Sequence, residues 1–114
     1  MRPSIIALLA ALTASPSLAA DGARTFATVC RGCHAEASTP MAPTLKGVFA
    51  AKVAGRADFK YSPALTAKAG VWTAERLDAF LKSPAAFAPG TRMMISVSNP
   101  ADRAAVIAYL QTLN

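Results

Sequence analysis

The sequence predicts an all-α domain of about four short helices joined by unusually long loops. Three observations carry this. Apolar residues recur at helical spacing in several segments. No run alternates with period two over strand length, and no hairpin signal occurs. Ser-Pro, Asn-Pro and Thr-x-Glu patterns, which start helices, precede the periodic stretches.

Each element follows in order. Asp21 is placed to cap a first helix running to about Cys33, with Phe26 and Val29 one turn apart. Residues 35–60 hold prolines and glycines with weak periodicity and read as irregular loop. Ser62-Pro63 opens a short second helix, with proline at its first position, and Gly70 closes it. Thr73 caps a third helix with Glu75 in its first turn. Leu77, Phe80 and Leu81 form its apolar stripe, and Ser83-Pro84 stops it. Residues 84–98 read as loop. Asn99-Pro100 opens the last helix, whose Val106, Ile107, Leu110 and Leu113 face inward.

The N-terminus has the layout of a secretory leader: Arg2, an apolar run from Ile5 to Leu12, then Ser17 and Ala19 before a cut at Ala20. The run is too short to span a bilayer. Residues 1–19 are therefore expected to leave on export to a periplasm, and 20–114 to form one domain of about 95 residues. Loss of Arg2 leaves 11 basic against 6 acidic residues, a net charge of +5. No basic run suggests nucleic-acid binding.

The only two cysteines and the only histidine stand together in "VCRGCHA", as Cys30, Cys33 and His34. A structural zinc site would need a fourth ligand. A thioredoxin-like pair needs a strand-then-helix setting that is missing here. A disulfide closing so small a loop removes little unfolded-state entropy and leaves the histidine without purpose. Cys-x-x-Cys-His is the signal for covalent attachment of a c-type haem, with His34 as axial ligand. A chain this short needs a staple, and one haem supplies it: loops can pack on its two faces.

A second axial histidine does not exist in the chain. Met41, Met93, Met94, a lysine or an open position remain as candidates. Met41 lies seven residues after His34, a reach of at most about 23 Å that must also clear the ring edge. Met93 and Met94 follow Pro-Gly in a loop far along the chain, and spacing does not choose between them.

The chain resembles the class I cytochromes c, in the mitochondrial and bacterial c2-like branch. The resemblance spans nearly all of residues 20–114. It runs through "CRGCH" with Phe26 four residues ahead, "APTLKGVF", "FKYSPAL", "VWT", "PGTRM" and "VIAYL". It implies that Met93 is the second axial ligand, paired with His34 on the iron. It implies that Pro43 accepts the His34 Nδ1–H, that Tyr61 and Trp72 donate to haem propionates, and that Gly22, Phe26, Val106 and Tyr109 form a crossing of first and last helices. Departures from the family pattern are Ala51 in place of a propionate-side arginine, with Lys52 or Arg56 as substitutes, Phe80 in place of a tyrosine, Leu65 in place of an asparagine, and a shorter loop after His34.

The function so implied is a periplasmic monohaem electron carrier, not an enzyme, since both axial positions are filled and no distal histidine remains. Its partners would be redox proteins: a periplasmic dehydrogenase, an oxidase or a membrane electron-transfer complex, met as a monomer. A subunit bound to a dehydrogenase complex is the alternative. A gas-binding sensor or weak peroxidase would need Met93 to dissociate. Where mitochondrial-type members carry lysines, this chain has Val29, Ala85, Ala86 and residues near Ser98. Met94 and Ile95 extend this apolar rim; Arg92 keeps its charge at the matched place, with Arg31 and Lys46 as further candidates nearby. A mainly apolar docking face is expected, with Arg76 and Arg103 on solvated helix faces.

Overall fold

A computed structural model describes residues 16–113. Residues 1–15, which hold most of the expected leader, lie outside it. Five α-helices order the described chain: α1 Pro16–Thr25, α2 Pro63–Thr66, α3 Ala74–Lys82, α4 Pro84–Phe87 and α5 Pro100–Leu110. Among the described residues there is no strand, only a single antiparallel bridge between Lys52 and Val71.

The first helix differs from expectation at both ends. It starts at Pro16, so Asp21 lies inside it and does not cap it. It ends in a π-helical turn, Phe26–Cys30, that delivers Cys30 to the core. Asp21 misled because Ser, Asp and Asn signal a start only when the residues before them are not themselves helical.

The other starts follow the caps. The Ser62 hydroxyl accepts from the Leu65 N–H, Thr73 from Arg76, and the Asn99 side chain from Ala101 and Asp102. The second helix is a single turn ending at Thr66, well before Gly70. Segment 84–98, expected to be all loop, begins with the one-turn α4. Ser83 ends α3 and its hydroxyl accepts from Ala86 N–H, so one residue closes one helix and opens the next. The Ser-Pro pair that announces α2 is equally present at Ser83-Pro84, but reading it as a stop hides the start.

Two packing regions result. In one, α1 crosses α5. Gly22 sits so close to α5 that a Cβ there would overlap the Ala105 carbonyl oxygen and approach Tyr109 Cβ at 2.9 Å. The Phe26 and Tyr109 rings lie 5.1 Å apart. Val106, Ile107 and Leu110 are buried as their spacing predicts, while Leu113 is half-buried beyond the helix end. In the other region, α3 and α5 form a floor over which the long loops arch. A short pairing of 50–53 with 70–72 holds Trp72: Ala50 N–H donates to Trp72 O, Trp72 N–H to Ala51 O and Val53 N–H to Gly70 O. Trp72 then packs on Phe80 and Phe87, with ring centroids 5.1 and 5.5 Å away.

Candidate functional site

The loops and the α3–α5 floor enclose a cavity of about 420 Å³. That lies within the ~300–1,000 Å³ usual for small-molecule and cofactor sites. Its lining brings together every residue the sequence nominated: Cys30, Cys33, His34, Pro43, Tyr61, Trp72 and Met93. Most of the remaining wall is apolar, with Leu77, Phe80, Leu81, Val97 and Leu110 in it.

The Cys-x-x-Cys-His segment arrives through the π turn. His34 N–H and Cys33 N–H both donate to the Cys30 carbonyl, folding the motif into a tight hook. The two cysteines are not bridged to each other. Burial pushes the Cys30 thiol up to about 11. A site that dry favours an uncharged sulfur, and a thioether is uncharged.

The His34 Nδ1–H donates to the Pro43 carbonyl oxygen at 2.8 Å. With the proton held at Nδ1, the Nε2 lone pair remains available as a ligand atom. This hydrogen bond also fixes the ring plane and makes the imidazole a stronger donor. Pro43 itself is carried by a loop braced on hydroxyls. Thr44 N–H donates to Ser38 Oγ at 3.0 Å, and Ser38 Oγ–H donates to Asp58 at 3.0 Å.

Met93 is half-buried and lines the cavity, whereas Met94 is 82% exposed and Met41 71% exposed. All three border the opening, but only Met93 withdraws its side chain from solvent. The alternation expected of an extended loop separates Met93 from Met94.

The two substitutes named for the absent propionate-side arginine, Lys52 and Arg56, both reach the lining. Arg56 is already engaged, donating to both carboxylate oxygens of Asp58 at 2.9 and 2.8 Å. That bond, with the Ser38 hydroxyl second, holds the Asp58 carboxyl below the usual carboxylate range. Burial pushes the Tyr61 phenol up. Phe80 and Leu65, the two departures from the family pattern that replace polar side chains, both line the cavity, so this wall is apolar.

Arg92, expected to keep its charge on the docking face, is exposed at the cavity edge; it donates to the Lys60 carbonyl and lies over the Phe59 ring at 5.5 Å. One arginine is not where its spacing was read to put it. Arg103, read as solvated, is 6% exposed and pairs with Asp78 at 2.7 Å. Its spacing within α5 held the signal: Arg103 stands three residues before Val106 and four before Ile107, on the apolar face. Arg76 also donates inward, to the Ala69 and Val71 carbonyls.

A haem c fits this set. Two adjacent unbridged cysteines, an imidazole with one nitrogen fixed and the other spare, a withdrawn thioether and an apolar wall converge on one cavity. No buried side-chain nitrogen or oxygen among the described residues lacks a partner.

Comparison with known proteins agrees. Residues 19–114 match the family model described as cytochrome c. The chain is 44% identical over 94 residues to a protein named cytochrome c-type cyt cy from Rhodobacter capsulatus, covering 81% of this chain and 47% of that one. It is 37% identical over 87 residues to a cytochrome c2 of Rhodomicrobium vannielii, covering 73% and 70%. The solved structure of cytochrome cH from Methylobacterium extorquens superposes with a TM-score of 0.76 at 38% identity, over 82% of this chain and 97% of that one. The chain spans about half the length of the Rhodobacter protein and of the Rickettsia cytochrome c homologs it matches.

Proposed function

The chain belongs to the cytochrome c family, and from that premise we propose that it is an exported monohaem electron carrier with His34 and Met93 as axial ligands. One observation carries the reading: the Cys30–Cys33–His34 hook and the withdrawn Met93 line the same apolar cavity, with His34 already oriented by Pro43. Bound there, haem supplies a one-electron Fe(III)/Fe(II) couple.

The protein's residues would act on that couple in separable ways. Cys30 and Cys33 hold the group as thioethers. Pro43 keeps the His34 proton on Nδ1. The thioether of Met93 favours the reduced state and raises the potential. The apolar wall, with Phe80 and Leu65 in place of polar side chains, penalises the extra positive charge of the oxidised state and acts in the same direction. Tyr61 and Trp72 are the donors proposed for the propionates, with Lys52 the cation left unpaired beside them.

The N-terminal pattern supports export with cleavage before Ala20. The cut would shorten α1 by four residues. It would leave Asp21 in the first turn, where a carboxylate suits the helix dipole. Partners would be redox proteins reached through the cavity mouth, where Met94 and Ile95 stand exposed; Ala85 and Ala86 on α4 are exposed as well. Arg92, exposed and hydrogen-bonded to the Lys60 carbonyl, is the one charge kept on this face. Association with the partner is expected to slow by less than about tenfold from low to physiological salt. Stopped-flow electron transfer across an ionic-strength series measures this. A fall of two decades would restore a lysine-steered carrier, and a flat response with a stable complex would favour a bound subunit of a dehydrogenase complex.

Ligation has its own test. Met93→Ala should remove the weak near-infrared sulfur-to-iron band, lower the potential and admit carbon monoxide to the reduced protein. Met94→Ala should change none of these. A band that survives in Met93→Ala would overturn the assignment.

A further inference from the structure

Arg103 is the only charged side chain among the described residues that is buried. A buried cation is costly unless it is paired and fully hydrogen-bonded. Arg103 is both. Its Nε–H donates to Asp78 Oδ1 at 2.7 Å, and its Nη1 donates to the Val97 carbonyl at 3.0 Å and the Ser98 carbonyl at 2.9 Å. A leucine would fill that space on α5 without the desolvation cost. What a leucine cannot do is hold two main-chain carbonyls of another segment.

Those carbonyls belong to the far end of the loop that carries Met93. The same end is gripped from α3, where Val97 N–H donates to the Leu81 carbonyl at 2.7 Å. The near end is gripped separately. Thr91 N–H donates to Ala88 O at 2.9 Å, Met93 N–H to Thr91 Oγ1 at 3.4 Å, and the Arg92 guanidinium to Lys60 O. Between the grips, residues 94–96 make no backbone–backbone hydrogen bond among the described residues, and Met94 and Ile95 are exposed. Met93 therefore lies on a span held mainly at its ends.

We propose that Arg103 is a positioning residue: through the Val97 and Ser98 carbonyls it fixes the exit of the loop and so keeps the Met93 thioether in the cavity. Asp78 orients the guanidinium for that task. The inference rests on Met93 being the axial ligand. Charge-assisted bonds in a fixed fork suit the role, because an ammonium on a flexible stem cannot serve a carboxylate and two carbonyls in one geometry.

The test uses the intact haem-loaded protein and reads the ligand, not the fold. Arg103→Lys keeps charge and stem but loses the fork. Its reduced form should bind carbon monoxide roughly tenfold more tightly than wild type, since a lost charge-assisted bond is worth about that much in an equilibrium. Its oxidised form should show a weakened sulfur-to-iron band. Asp78→Asn, which keeps an oxygen acceptor, should shift both readouts the same way by less. Gly22→Ala, which loosens the α1–α5 crossing far from the loop, should lower the melting temperature and leave both at wild type. Wild-type readouts in Arg103→Lys, or equal shifts in a Gly22→Ala protein of matched melting temperature, would reduce Arg103 to a packing residue. If Arg103→Lys does not fold, Asp78→Asn carries the same two outcomes. Met93→Ala separates the premise. A band persisting there overturns the ligand reading and this inference with it. A band lost there but intact in both the Arg103 and Asp78 variants overturns this inference alone.

Discussion

At the crossing of α1 and α5, protein packs on protein. Gly22 lies against the Ala105 backbone, Phe26 against Tyr109, and the apolar stripe of α5 is buried residue by residue. Across the cavity the loops of residues 35–62 and 88–99 face each other over about 420 Å³, with Val53 and Val97 reaching the core and most of the facing residues lining the cavity. They are held by hydrogen bonds along their margins: Ser38 to Asp58, Arg92 to Lys60, Arg103 to Val97 and Ser98. The first region is stabilised by its own side chains. The second is a frame that needs a large apolar body inside it. A chain of this length can support one such region by packing alone, not two.

The sharpest way to break this comparison is to prevent haem attachment. A Cys30→Ala, Cys33→Ala double variant should lose most of its helical circular dichroism at ordinary temperature. In any residual structure, amide exchange should be fast throughout residues 35–62 and 88–99 and slowest in α5. Uniform protection in both regions would mean that the loops pack without a guest.

How legible each region was in the sequence follows the same division. The helices were legible because their caps and apolar spacing are local. Ser62, Thr73 and Asn99 all cap as expected, and Val106, Ile107 and Leu110 are buried. The cysteine–histidine hook was legible because chemistry forces those residues to be adjacent. Asp21 failed because a capping residue carries no information about helix upstream of it. The α4 turn failed because proline after serine both stops and starts helices. Arg103 failed, and the contacts of Arg92 went unforeseen, for a deeper reason. Their partners are main-chain carbonyls at Val97, Ser98 and Lys60, and any residue type can supply a carbonyl. Met93 over Met94 was not legible from spacing at all. It came from resemblance; the structure adds only that Met93 is half-buried and Met94 exposed.

A smaller effect should appear at the crossing. Gly22→Ala gains about 1 kcal/mol of helix propensity. Against this stands an overlap with main-chain oxygen, which cannot rotate away, so the two helices must part. Overpacking of this kind costs typically about 1–3 kcal/mol, and here backbone must move, so a net loss of about 2 kcal/mol is expected in denaturant unfolding. The reduction potential should stay at wild type, because the cavity wall is built elsewhere. A shift in potential would show that the two regions are coupled more tightly than their construction implies.

The smallest effect lies in the frame, at two alanines that adopt left-handed backbone, Ala50 with φ 65° and Ala54 with φ 56°. That conformation costs an L-residue about 1–2 kcal/mol, while glycine adopts it freely but loses roughly 0.5–1 kcal/mol more chain entropy on folding than alanine. The balance at Ala50 favours glycine, because its side chain is exposed and its N–H to Trp72 O bond is main-chain and survives the change. Ala50→Gly should stabilise the loaded protein by about 0.5 kcal/mol, a rise of roughly 3 °C in melting temperature for a domain of this size. Ala54 has the same torsion but packs its methyl against the core cluster. Removing a buried methyl loses up to about 0.8 kcal/mol, so Ala54→Gly should be neutral or slightly destabilising. The pair isolates strain from packing within one loop. Equal gains at both positions would mean that the Ala54 methyl contributes nothing, and that even the part of the frame nearest the core is held by its backbone alone.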